Sequence, residues 1–366
     1  MECVDCPKSG IIKQKVKKGL KIMEKEYILN FAQKLLQVDS PTGFTMHAID
    51  FLEKEAKKLG YDTVRNQKGN LMIQIEGKDT SHTLGLSAHC DTLGLMVRSI
   101  KDNGYLAITP IGSPTLPTLD SEYCRIYTRE NRVYTGTILC QAASKHVHPD
   151  AGSLERKADT LEVRIDEIVK NKEDVLKLGI SNGDFIAIDP KTTVTESGFI
   201  KSRFLDDKIS CACLFSVLKT LTDENIKPST NLIFLFSTYE EVGHGASALP
   251  DEIDSMLAVD MGCIGLDLSC TEYDVSICAK DSSGPYDYQM TSDLIRLAKE
   301  KQLCYAVDIY PMYGSDVSAA LKGGNNIKGA LIGPGVQASH GMERTHYKAL
   351  ENTVELIMSY ITKENE

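Results

Sequence analysis

Acidic and imidazole side chains recur in this chain wherever an apolar run stops. The fullest case is NLIFLFSTYEEVGHG, residues 231–245. Residues 232–236 read as a strand buried on both faces, and the polar stretch after it delivers Glu240 and Glu241. Neighbours on an ideal strand point to opposite faces, so these carboxylates can share a site only if the chain leaves the strand there. Gly243 and Gly245 supply the break. A second run, 83–87, ends in Ala88-His89-Cys90-Asp91. Residues i and i+2 of a strand share a face, so Asp91 can accept from the ring of His89 and fix its tautomer, as metal-binding histidines need. Asp206-Asp207 opens a helix, Asp260 ends an apolar run, and His340 lies between Ser339 and Gly341. Singly, each has an ordinary explanation: a solvated pair, a helix N-cap, a turn aspartate, a surface histidine. Together they set His, Asp, Glu, Asp and His on separate strand-end loops, where open α/β sheets place their ligands. Mixed nitrogen and oxygen donors without thiolate suit two zinc, cobalt or manganese ions bridged by a carboxylate and a water. One glutamate is then left over as general base.

The elements that must position these residues follow from periodicity. Helical spacing of Ile28, Phe31, Ala32, Leu35 and Leu36 predicts a helix over 24–37, broken at Asp39-Ser40-Pro41-Thr42-Gly43, with a second over 45–59. Short strands at 62–65 and 70–75 precede the 83–87 strand. From 93 to 198 the texture changes to short β-like runs with turn signals such as Asp102-Asn103-Gly104, the pattern of a small inserted barrel or sandwich. Helix and strand then alternate again: helices over 210–221, 291–301 and 350–361, and strands over 232–236, 256–259, 304–307 and 327–332. The chain reads as α/β, a mixed-sheet α/β/α catalytic domain formed by 23–92 and 199–366. A β-rich domain, 93–198, interrupts it, and a polar, lysine-rich leader, 1–22, precedes it.

With 366 residues the chain can bury a large core, and its net charge of -10 argues against nucleic acid and anionic membranes as partners. No apolar run approaches the ~20 residues of a membrane span, and the N-terminus lacks the apolar segment of a secretory signal. The cysteines number eleven, odd and scattered, which predicts free thiols in a reducing cytoplasm. Cys3 and Cys6 form the only C-x-x-C, and neither a second ligand pair nor a βαβ setting accompanies them.

The motifs in order resemble a known family from about residue 24 to 361. They are SAHCDTLGL (87–95), GISNGDFIAID (179–189), SRFLDDKISCA (202–212), STYEEVGHGA (237–246), AVDMG (258–262), YGSDVSAAL (313–321) and SHGMERTH (339–346). The chain resembles the tetrahedral aminopeptidases, the glutamyl/leucyl aminopeptidase group of co-catalytic metallopeptidases that includes cellulase-M-like members. Carried over by position, the resemblance implies two divalent metal ions with Asp206 as the bridging carboxylate. His89 and Asp260 would complete one site, Glu241 and His340 the other. Glu240 would be the base acting on a water shared by the ions, and Asp91 the orienter of His89. It also implies peptide substrates cut at the N-terminal residue, a cis peptide after Asp206, and an inserted β domain that helps build a homododecamer. The chain departs from the family pattern at Thr92, where a glutamate is frequent, and at His244, where an apolar residue is usual. His346 is a rival to His340 as the last ligand.

Other functions would use these residues differently. An amide deacylase or a carboxypeptidase could share the metal site and differ in recognition. A glycosidase needs two carboxylates ~5–9.5 Å apart across a sugar, which adjacent Glu240 and Glu241 fit poorly. A non-catalytic scaffold would have lost ligands, and none is missing from the set.

Overall fold

The computed structural model describes residues 25–363; the leader, with Cys3 and Cys6, lies outside the described residues. Four parallel strands form the centre of a ten-stranded mixed sheet, in the order Thr230–Ser237, Asp79–His89, Ser255–Val259, Lys328–Val336. Antiparallel strands Leu71–Ile75 and Val275–Asp281 flank them. Both faces of the sheet are covered. Phe234, Phe236, Leu257, Val259 and Ile332 pack into a large core with helices Lys25–Leu36, Leu205–Asp223 and Tyr347–Ile361. The alternate residues Leu235, Met256, Ala258 and Leu331 pack under Val317 and Ala320 of the short helix Asp316–Lys322 on the other face. This is the α/β/α arrangement expected from the sequence.

Helix Leu205–Asp223 explains its own composition. It buries nearly every residue up to Leu221, because the sheet lies on one side and two other helices on the other. The stripe on Lys25–Leu36 meets it directly: the Phe31 and Phe215 rings stack at 4.5 Å, and Phe215 in turn reaches Phe236 of the sheet at 5.1 Å. Each such fully buried aromatic or aliphatic side chain is worth roughly 1.5–3 kcal/mol. The expected start at 210 is too late; the helix begins at Leu205, with non-helical backbone at Asp206 and Asp207.

Strand register sets what comes next. Ser237 pairs with His89 and Ala258 with Ser87, so the carboxyl ends of three strands stop side by side. Between Gly94 and Ile188 six antiparallel strands close into a barrel, Gly94–Ile100, Leu106–Ile111, Leu161–Ile165, Val133–Cys140, Tyr123–Tyr127 and Phe185–Ile188 in order around it. Strand Leu161–Ile165 was not expected, although its apolar residues alternate with Glu162 and Arg164. In the barrel Glu162 is buried and held by Lys101 at 2.6 Å. Strand Val275–Asp281 and helix Asp316–Lys322 were also not expected. All nine cysteines within the described residues are free thiols. Among the described residues no helix is long and apolar enough to cross a membrane.

Candidate metal centre

The strand ends converge on one cleft of about 550 Å³ lined by Asp206, Glu240, Glu241, Asp260 and His340, with His89 beneath them. After Ser237 the chain leaves the sheet and makes a 3₁₀ turn, Glu240–Val242, closed by Gly243 in the left-handed region at φ 81°. A side chain is disfavoured in that conformation, so glycine there lets both glutamates turn to the same side. His89 is the last residue of its strand, and Asp260 follows Val259 with its N–H bonded to the Ile332 carbonyl at 2.9 Å. Gly333 is required beside it: a Cβ there would lie 1.8 Å from the Asp260 carbonyl oxygen. His340 sits on a loop at φ 65° and Phe204, just before Asp206, at φ 68°. Such values are uncommon for bulky residues and concentrate at functional sites. The Asp206–Asp207 peptide is cis.

Asp206 reaches both imidazoles. Its Oδ1 lies 3.1 Å from His89 Nε2 and its Oδ2 3.6 Å from His340 Nε2, while Ser339 donates to Oδ2 at 3.0 Å. Glu240 Oε2 is 3.6 Å from His89 Nε2, and Glu241 Oε2 is 3.6 Å from His340 Nε2. Ligand atoms of His89, Asp206 and Glu241 fall within 4.8 Å of one another, as do those of His89, Asp207 and Asp260. Each imidazole already spends its Nδ1 hydrogen on a carbonyl: His89 on Asp91 at 3.0 Å, His340 on Ser113 of the barrel at 2.9 Å. The Nε2 atoms therefore face carboxylates with either an extra proton or a cation between them.

The electrostatics say the same. Burial works against a charged His89, yet Asp206 and Asp91 hold it well above its ordinary range. Burial and neighbouring acids push Glu240 and Glu241 well up, and Asp260 to about 7. Asp206 is held low despite its burial, by His89 first and His340 second. Glu241 Oε1 and Asp207 Oδ1 are buried with no hydrogen-bond partner. An excess of enclosed carboxylate oxygens around two imidazoles, some of them unpartnered, fits divalent cations of the zinc, cobalt and manganese type.

The remaining sequence-predicted residues fall as follows. Asp91 is fully buried, but His89 Nδ1 is nearer to its backbone carbonyl than to its carboxylate, 3.0 against 3.4 Å. Its carboxylate instead takes the Glu240 and Glu241 N–H groups at 3.2 and 3.3 Å and the Thr42 hydroxyl at 2.6 Å. Asp207 does not cap the helix; its Oδ2 accepts the His89 N–H at 3.2 Å. His346 is committed elsewhere. It donates through Nε2 to the Ser197 carbonyl at 2.8 Å, accepts from Lys348 N–H at 3.1 Å, and packs among Phe199, Tyr273 and Tyr347. Sequence reasoning missed Glu343, whose carboxylate accepts the N–H groups of Asp206 and His340 at 3.0 and 3.1 Å and so ties their loops together. It also missed Asp316, buried behind the glutamates with Ser237 donating to it at 2.7 Å. Asp316 carries no local spacing signal, whereas Glu343 stands three residues after His340.

A sequence profile of the M42 glutamyl aminopeptidase family matches residues 69–356. The chain belongs to that family. The aminopeptidase-named protein YhfE of Bacillus subtilis (strain 168) is 45% identical over 334 residues, covering 91% of this chain and 96% of its own. The glutamyl aminopeptidase of Lactococcus lactis subsp. cremoris (strain MG1363) is 25% identical over 214 residues, 57% of this chain and 58% of its own. The Pyrococcus horikoshii TET1 peptidase, described as assembling into a tetrahedron or a large octahedral shell, superposes with a TM-score of 0.79 at 22% identity. That match covers 92% of this chain and all (100%) of the other. The family expected from the motifs is thus the one found, and this M42 chain is a peptide hydrolase of the aminopeptidase type.

Proposed function

We propose that this M42 chain is a dinuclear metal-dependent aminopeptidase, with Asp206 bridging two divalent ions, zinc by its donor set and cobalt or manganese as alternatives. His89 and Asp260 would hold one ion, Glu241 and His340 the other. The observation that carries this reading is Asp206, whose two oxygens each face an imidazole Nε2 at 3.1 and 3.6 Å while Glu241 Oε1 has no partner. When bound, the ions would polarise the scissile carbonyl and acidify the attacking water. Glu240 would take the proton from that water and pass it to the leaving amine. Asp91 fixes the Glu240 and Glu241 backbone, so base and ligand keep their relative placement. The free amine of a peptide's first residue would be held at one of the ions, as the family resemblance implies, which would restrict cutting to that residue.

We further propose self-association into a homododecamer, with the β-rich domain over 93–198 contributing to assembly and substrate access. The support is likeness to the Pyrococcus horikoshii TET1 peptidase, which assembles into closed shells. The test of function pairs metal analysis with one peptide offered free and N-acetylated. The expected result is two ions per subunit, release of the first residue from the free peptide only, loss of activity on chelation and recovery on adding zinc. Hydrolysis of the N-acetyl bond or release from the carboxyl end would replace the proposal with a deacylase or a carboxypeptidase.

A further inference from the structure

Beyond the proposed ligands and base, the wall of the cleft is apolar and soft. Met261, Cys263, Met312 and Tyr313 line it, with only the small hydroxyls of Ser113, Thr115 and Ser339 to add polarity. The Tyr313 hydroxyl lies between the Met261 carbonyl, 3.0 Å away, and the Asp260 carboxylate, which leaves the ring as wall; the ring packs against Tyr310 at 5.0 Å between centroids. Met312 stands at the mouth, 91% exposed, on the segment that leads into helix Asp316–Lys322. Unbranched thioethers adapt to apolar side chains of varied shape.

Charge decides what this wall rejects. Among the described residues, no lysine or arginine lines the cleft. A glutamyl or aspartyl side chain would bring a carboxylate to a wall with no side-chain cation to meet it, the cleft's own carboxylates and the two ions being matched to each other. A lysyl or arginyl side chain fares no better. Every carboxylate lining the cleft is one assigned to the metal ions or to proton transfer, so the ammonium would have no anion of its own.

We infer, resting on the aminopeptidase reading above, that this cleft selects peptides whose first residue is neutral and apolar, of leucine or methionine size, and discriminates against acidic and basic first residues. The relative named glutamyl aminopeptidase, 25% identical over part of the chain, is by that name a protein of acidic preference, so the inference separates this chain from it. A single methylene in an apolar pocket changes kcat/KM by about 10–200-fold, and an unpaired charge costs at least as much.

The experiment compares leucyl, methionyl, glutamyl and lysyl p-nitroanilides on the zinc-loaded protein. It also measures, by calorimetry, binding of Leu-Ala, Glu-Ala and Lys-Ala to Glu240→Gln, a readout independent of turnover. Leucyl and methionyl substrates should exceed the charged ones in kcat/KM by at least ~10-fold, and the dipeptide affinities should follow the same order. Met312→Arg, a change on an exposed side chain, should raise the glutamyl-to-leucyl ratio by ~10-fold or more. Preference for glutamyl or lysyl substrate, or ratios unmoved in Met312→Arg, would overturn the inference while leaving the aminopeptidase reading intact. Cleavage of N-acyl amino acids with no free aminoacyl substrate accepted would overturn both.

Discussion

Asp91 is the group from which the strand-end loops hang, and Asp91→Asn tests that role with almost no change of shape. Oδ1 faces the Glu240 N–H at 3.2 Å and His89 Nδ1 at 3.4 Å; Oδ2 takes the Thr42 hydroxyl at 2.6 Å and the Glu241 N–H at 3.3 Å. Either oxygen, once replaced by NH₂, faces a backbone N–H. The better rotamer points the NH₂ at Thr42, whose hydroxyl can turn to the Thr92 carbonyl at 3.4 Å and accept instead. The Glu241 N–H is then left without an acceptor. One buried unpaired donor costs about 1–3 kcal/mol, and the surviving bonds lose a charge that makes them roughly twice as strong. The expected loss of stability is about 3 kcal/mol. His89 keeps its tautomer through the Asp91 carbonyl at 3.0 Å, so its Nε2 still faces the site. The damage falls on the Glu241 side. Metal affinity should drop by ~10–100-fold there, with activity partly restored by excess zinc. Competition with a chelator measures the affinity, denaturant unfolding measures the stability, and a double-mutant cycle with Thr42→Val isolates the shared bond. An Asp91→Asn protein with wild-type metal affinity and unfolding midpoint would refute the argument.

Glu240→Gln should lower turnover by at least ~10²–10⁴-fold with two ions retained, whereas Glu241→Gln should weaken one ion and regain activity with excess metal; metal content beside rate distinguishes them, and the reverse pattern would swap their roles. Gly333→Ala must displace the Asp260 backbone, since the new Cβ would sit 1.8 Å from its oxygen. About 1–3 kcal/mol of stability and one ion per subunit should be lost, read by unfolding and metal analysis. Lys208 is buried with its ammonium on the Val38 carbonyl at 2.5 Å, and burial lowers its pKa from 10.5 to about 8. Between those values the unfolded chain binds the proton and the folded chain does not, so this residue's contribution to stability rises with pH across that window. Lys208→Met should therefore lose about 3 kcal/mol of its advantage over wild type between pH 7.5 and 10.5. A difference in unfolding free energy that stays flat over that range would show that the lysine is not held in this way.

What could be read in advance depended on whether the signal was local. The run 232–236 and the polar turn after it announce a strand and its end, so Glu240 and Glu241 stood out, as did His89 and Asp260 at similar junctions. The sheet then brings these ends together through register, with Ser237 opposite His89. Asp316 was invisible because its partner, the Ser237 hydroxyl, lies far away in sequence; Glu343 stands three residues past His340, but its tie to the Asp206 N–H is remote. The choice between His340 and His346 was equally non-local. Ser113, from the barrel, orients His340, and a ring cluster with Phe199 and Tyr273 holds His346 away from the acids. Strand Leu161–Ile165 was passed over although Leu161, Val163 and Ile165 alternate with Glu162 and Arg164 at strand period; what its sequence could not show is that the barrel buries Glu162 against Lys101.

The central claim is that Asp206 lies between two cations. Diffraction from zinc-loaded crystals at the zinc absorption edge tests it without reference to activity. The account predicts two anomalous peaks per subunit about 3.5–4 Å apart, Asp206 touching both, one beside His89 and Asp260 and the other beside Glu241 and His340. A single peak, or a peak bound by His346, would contradict it.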